Sequence, residues 1–309
     1  MKRCIAAVIS SIFFVATYSQ DTTVIIDNQK ITLPEVIVHN NMDYLSILKR
    51  IQNDTTFYKA FRSLHLVEFT SYNDIRVLNK DGSVKAGWSS QSRQERDSGC
   101  RTTTVLSQQT TGDFFNKKGN YNYTTGEMYA SIFLSKGKVC GEDNIVAGHT
   151  FTTKNKSGME KHKEQLKMLF FNPGKKIPGI PFIGDKLDLY DDHAHKIYDY
   201  RLEFTDYKGS YAYVFTIKPK ENLGIFQRDD VVVDEMTTWF DYKTLEVLAR
   251  NYTLSYKAGV YDFDVNMKVE MTRIGGMLVP QVMRYKGNFG VLFKKRERGE
   301  FTATLSDFK

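Results

Sequence analysis

The chain is poor in residues that announce chemistry. It has no Gly-x-Ser-x-Gly, no His-Glu-x-x-His and no Gly-x-x-x-x-Gly-Lys-[Ser/Thr], which removes the common hydrolase, zinc-peptidase and P-loop readings. Cysteine is scarce, with three residues in 309, and so is proline, with six. No low-complexity linker or repeat divides the chain, so one large domain is expected. The apolar-rich run Cys4 to Thr17, which carries no charge, is too short for an ordinary membrane span.

That run does have a reading. Lys2 and Arg3 precede it and small or polar residues, Thr17 and Ser19, close it, which is the layout of a secretory signal peptide over residues 1–19. Cys4 lies before the apolar run and not at its end, so lipid attachment there is not expected. The mature chain, 20–309, would carry a net charge of +7 − 2 = +5. Its charges of both signs are interspersed, and the densest basic run, Lys294-Lys295-Arg296, is followed by Glu297 before Arg298. Nucleic acid is therefore excluded as a partner. Cys100 and Cys140 stand in polar, glycine-bearing contexts, and in an oxidising compartment they are expected to pair.

Periodicity gives the fold class. "TVIIDNQKITLPEVIVHN" reads as two strands around Asp27-Asn28-Gln29, and "DYLSILKRIQ" as a helix behind Asp43. "LHLVEFTSYNDIRVLNKDGSVKAGW" returns to strands, with a hairpin at Asp81-Gly82. Helices follow from Thr124 and behind Ser157, the second stopped by Asn172-Pro173-Gly174. A Pro/Gly loop, 172–196, leads into a meander over 197–309, with turns expected at Lys208-Gly209, Asp241-Tyr242-Lys243, Lys257-Ala258-Gly259, Gly275-Gly276, Gly287-Asn288 and Arg298-Gly299. The expected fold is mainly β (α+β), a wide curled antiparallel sheet or incomplete barrel packed on a few helices.

In "VYDFDVNMKVEM" the alternation places Phe263, Val265, Met267 and Met271 on one face and Asp262, Asp264, Asn266, Lys268 and Glu270 on the other. The apolar face lines a ligand cavity or fills a packed core; methionine suits either. The candidate lining is Trp239, Phe263, Met267, Met271 and Phe293. Ile177, Ile180, Phe182 and Ile183, on a loop that prolines 173, 178 and 181 keep from forming a helix, form either a flap over that face, with Phe182 and Ile183 at its mouth, or a fixed plug. Asp191-Asp192-His193-Ala194-His195 has metal-ligating atoms but no further histidine assigned to it, so no metal and no cofactor is expected.

Two stretches resemble known families. "ITLPEVIVHNNMDYLSILKRIQNDTTFYKAF" resembles a segment of Bacteroidota-type outer-membrane proteins in which a strand leads into a short helix and a Tyr-rich strand. "TTWFDYKTLEVLARNYTLSY", followed by alternating strands and "GGMLVPQVMRY", is similar to the periplasmic lipoprotein-carrier family, though Tyr242 follows Asp241 where that family usually has Pro. The second resemblance covers the C-terminal half and implies an incomplete barrel over helices with acyl chains inside. It implies a secreted, non-catalytic protein of the periplasm or outer-membrane face, whose partner is a lipid, a lipidated protein or an apolar segment. The alternative is an envelope scaffold or assembly factor that binds another protein through its sheet face or edge.

Overall fold

In the computed structural model the described residues are 22–26, 29–33, 44–146, 158–177, 185–258, 261–291 and 296–309. Residues 1–19, read above as a signal peptide, the stretch 34–43, and Ile180, Phe182, Ile183 and Phe293 lie outside them.

The chain opens with a hairpin, β1 (Thr22–Ile26) and β2 (Gln29–Leu33), then two helices, α1 (Tyr44–Gln52) and α2 (Thr56–Ser63). Three long strands follow: β3 (Phe69–Leu78), β4 (Val84–Asp97) and β5 (Cys100–Thr111). Helix α3 (Thr124–Phe133), the two-residue β6 (Val139–Cys140) and helix α4 (Gly158–Phe171) fill the middle. The short α5 (Ala194–Ile197) leads into β7 (Tyr198–Tyr207) and β8 (Ser210–Pro219), which are followed by one helical turn, α6 (Ile225–Arg228). The meander ends with β9 (Val233–Asp241), β10 (Val247–Ala258), β11 (Tyr261–Ile274), β12 (Met277–Val291) and β13 (Glu297–Ser306).

Eleven of these strands form one antiparallel sheet in the order β6-β5-β4-β3-β13-β12-β11-β10-β9-β8-β7, which does not close on itself. The chain therefore starts the sheet from one side, leaves to lay helices on it, and completes it from the other side. The last strand, β13, joins the two parts by pairing with β3.

Residues that lie opposite one another trace a single inner face across the sheet: Met236, Tyr252, Met267, Tyr285, Phe301, Ile75 and Trp88 follow one line from β9 to β4. All seven are buried, as strict alternation requires when one face meets helices and the other meets water.

Real turns and in-strand glycines separate cleanly. Gly82, Gly209, Gly275 and Gly276 have positive φ and sit in hairpin turns, as the sequence predicts. Gly287 and Gly299, also read as turns, lie inside β12 and β13 instead. A side chain at Gly287 would overlap Tyr285, and one at Gly299 would overlap Thr125. These glycines mark close approach rather than reversal. The Tyr-rich segment after α1 is likewise helical, not extended: α2 buries Phe57, Ala60 and Phe61 on one face.

Candidate functional site at one end of the sheet

The inner face is covered differently along its width. Over β3, β4 and β13 lies α3, whose fully buried Tyr129 packs at 5.4 Å from Phe301 and 6.3 Å from Trp88 (ring centroids). The α3 amides of Thr124 and Thr125 donate to Glu297 of β13 at 2.9 and 2.7 Å, so a carboxylate distant in sequence caps this helix. In the centre, α2 and the end of α4 meet through Phe61, Phe170 and Phe171, and Tyr252 of β10 donates to the Phe170 carbonyl at 3.1 Å.

A buried ion pair fixes the helices to the strands here. Arg250, on the inner face of β10, lies 3.2 Å from Asp54 at the α1–α2 junction, donates to Thr238 Oγ1 at 3.0 Å and stacks 4.6 Å over the Phe57 ring. The other Asp54 oxygen accepts from the Thr56 amide and hydroxyl at 2.8 and 2.6 Å. Every polar atom removed from water at this pair is thus returned a partner.

Over β7, β8 and β9 the cover is loop. Ile177, Leu187 and Leu189 are each 1% exposed or less and join the core. Tyr200 donates to the Leu189 carbonyl at 2.7 Å, and the Tyr198 hydroxyl accepts the Val232 and Val233 amides. Gly174 makes the approach possible: its φ is +91°, and a Cβ there would stand 2.8 Å from Leu189 Cδ1. The stems of the Pro/Gly loop therefore plug the sheet, and Ile177, expected to sit on a flap or a plug, belongs to a plug.

Among the described residues, the cover thins toward the end of the sheet that carries the β8–β9 and β10–β11 connections. Phe263 is half-buried against Tyr256, at 6.2 Å between ring centroids. Its ladder partner Phe289 is also half-buried. Lys186 lies 5.2 Å over the Tyr256 ring and 2.8 Å from Asp230, which also holds His193 at 3.1 Å. Burial is the largest single influence on Lys186 and opposes its charge, but the bond to Asp230 together with the attraction of Tyr256 and Asp230 outweighs it and raises the pKa. Burial opposes the Asp230 charge too, and Lys186 outweighs it there, holding this carboxyl below its usual range. Beside this ion cluster, α6 turns Ile225 and Phe226 to solvent, 81% and 88% exposed.

The expected lining is divided by this geometry. Phe263, Met267 and Met271 share the inner face of β11, but Phe263 is at the thin end, Met267 is fully buried mid-strand, and Met271 packs on the core at the opposite end. Eight residues of strand separate Phe263 from Met271, roughly 27 Å at strand rise. Trp239 is not with them. It is offset by one from Thr238 and Phe240 on β9, so it projects from the outer face, with its ring 5.6 Å from Tyr207. The sequence missed Tyr256, Lys186 and Asp230. Alternation along "LARNYTLSYKA" marks Tyr256 as inward-facing with Tyr252 and Leu254, but nothing local pairs Lys186 with Asp230.

His195 packs beside Tyr200, at 5.1 Å between rings, and not with His193. Among the described residues, no three His, Cys, Asp or Glu side chains are grouped to hold a metal ion. Cys100 and Cys140 are joined as a disulfide that ties β6 to β5. Beside it Arg101 is bound to Glu142 at 2.6 Å and to Gln94 at 3.2 Å. Two grooves lie elsewhere: a polar one of about 680 Å³ between Lys85, Tyr123, Glu127 and Arg298, and one of about 630 Å³ on the outer face beside Tyr72, Gln91 and Gln109. No helix among the described residues is long and apolar enough to cross a membrane.

No protein-family model matches the chain. No curated protein matches it. Among solved structures it is similar to a DUF1329 family protein from Desulfovibrio piger, at 12% identity and a TM-score of 0.25, over 82% of this chain and 91% of that one. It is also similar to an outer membrane lipoprotein-sorting protein domain from Vibrio parahaemolyticus, at 10% identity and a TM-score of 0.27, over 85% of this chain and 90% of that one. The second is the kind of protein that the C-terminal half of the sequence resembles, but likenesses this distant carry no functional weight.

Proposed function

We propose that this is a secreted cell-envelope protein, carrier-like and non-catalytic, that takes an acyl chain or a similar apolar segment at the thin end of its half-barrel. The observation that carries the reading is the half-buried Phe263 on Tyr256, at a rim of the apolar face and beside the exposed Ile225 and Phe226. A half-barrel of this kind buries its aromatic and methionine side chains wherever helices or loops reach them, and leaves them half-covered here. An apolar ligand entering between the rim and the loop would complete their burial, gaining about 25 cal/mol for each Å² removed from water. Lys186 and Asp230 close the rim with charges that bond each other and can part without leaving either dry.

Met267 lies too deep to line the site in the closed form and acts as its floor; Phe263 is the wall. Phe182, Ile183 and Phe293, whose segments are bounded by Ile177 and Asp185 and by Val291 and Arg296, complete the proposed mouth. Lipid or a lipidated protein is the partner, and the periplasm or the periplasmic face of the outer membrane is the location. Native mass spectrometry of the protein isolated from a secreting host tests this: a lipid-sized adduct lost on denaturation is expected, and a protein of bare chain mass that also takes up no added phospholipid or fatty acid contradicts it.

A further inference from the structure

The two edges of the sheet are built differently. At one edge, β7 carries charges on alternate residues, Asp199, Arg201 and Glu203, and β2 runs within 8 Å of it, Cα to Cα. At the other, β6 covers only Cys100 and Arg101 of β5, and Ser135 occupies Thr103 by a reciprocal pair of hydrogen bonds at 2.8 and 3.1 Å. From Thr104 to Thr111 the strand pairs with β4 on one side and with no strand among the described residues on the other. This stretch, TVLSQQTT, has no charge and no proline. Edge strands are ordinarily blunted by such residues because their free main-chain groups recruit another strand. Among the described residues this edge is left open, and it exposes Val105 and Leu106, 38% and 57%.

The open groups are self-complementary. The Thr103 amide points away from β4 to Ser135, so alternation aims Val105 the same way. Leu106 is an extra residue, a bulge between the pairs Ser92–Val105 and Gln91–Ser107. It shifts the parity of the strand, so that beyond it Gln108 and Thr110 face outward. A second β5 laid antiparallel about a two-fold axis between Leu106 and Ser107 sets Val105 of each copy against Gln108 of the other. Both residues have main-chain groups that no strand among the described residues pairs with, and both belong to the inner face, being opposite Ser92 and Ser90. The same axis brings the two exposed Leu106 side chains together, and no like charges meet.

We infer that β5 is a homodimer edge, across which two copies pair antiparallel to make one continuous sheet. The axis lies several strands from Phe263, so the inference stands apart from the proposed ligand site. Sedimentation equilibrium of the full mature chain tests it, with Gln108→Pro and Val105→Lys as variants. Proline at 108 removes an outward N–H that bonds no described residue of the protomer, together with the Gln108 Oε1 that accepts from Trp88 Nε1 at 2.8 Å, and lysine at 105 puts like charges near the axis without touching the backbone. The expected result is twice the chain mass for the wild type at about 100 µM and at least tenfold weaker association in both variants, with unchanged circular dichroism. If proline lowers folding, the lysine variant decides. A wild type that stays monomeric at that concentration, a dimer unaffected by Val105→Lys, or one chain carrying a smaller foreign polypeptide would overturn it.

Discussion

Over β3, β4 and β13 the apolar face meets a ten-residue helix, α3, whose Tyr129, Met128 and Phe133 interdigitate with Ile75, Trp88 and Phe301. Over β7, β8 and β9 the same kind of face meets Ile177, Leu187 and Leu189 on loop. A helix satisfies its own backbone and presents a stripe of side chains, so it can cover strands with few outside hydrogen bonds. A loop must borrow them, and this one does, from Tyr200 and from the Gly174 carbonyl, while the segment entering β9 borrows from the Tyr198 hydroxyl. The lesson is that the loop-covered region depends on single, specific contacts and thins where they end, which is where Phe263 emerges.

The largest expected effect breaks the join between the two regions. Arg250→Ala leaves Asp54 buried without its counter-charge, held only by Thr56, and should cost about 3–5 kcal/mol by urea denaturation. Asp54→Ala should cost a similar amount, and the double variant less than the sum. On the helix-covered side, replacing Cys100 and Cys140 by Ser together removes a crosslink spanning 40 residues and should cost about 2–4 kcal/mol, with the mature protein showing no free thiol before reduction.

Within β11, Met267→Ala should cost about 2–5 kcal/mol because the side chain is fully buried. Phe263→Ala, half-covered, should cost nearer 1 kcal/mol. Equal losses at the two positions would mean that the face is not thinner at its rim. The smallest effect tests the loop: Gly174→Ala meets Leu189 and a positive φ, and should cost about 1 kcal/mol or somewhat more, whereas Gly209→Ala, with open space around its Cβ, pays only for its φ.

Much of this was legible in the sequence. The alternation in β11, the hairpins at Gly82, Gly209 and Gly275-Gly276, helix α4 and the open sheet all follow from local periodicity and turn chemistry. What was not legible depends on tertiary contact. Gly287 and Gly299 read as turns because a glycine that makes room for Tyr285 or Thr125 is indistinguishable, by sequence, from one that reverses the chain. Trp239 was placed with the lining because aromatic content was counted without its parity relative to Met236. The Arg250–Asp54 and Lys186–Asp230 pairs join residues too distant in sequence for any spacing rule to connect.

The central claim is that the half-covered rim at Phe263 and Tyr256 receives an apolar chain. It is tested most directly by titrating a fluorescent long-chain fatty acid into delipidated protein and into Phe263→Asp, a rim variant expected to keep its fold because the position is only half-buried. Saturable binding to the wild type, weakened at least tenfold in Phe263→Asp with the melting temperature lowered by only a few degrees, is the expected result. Binding of equal strength in both proteins, or no saturable binding to the wild type, would contradict it.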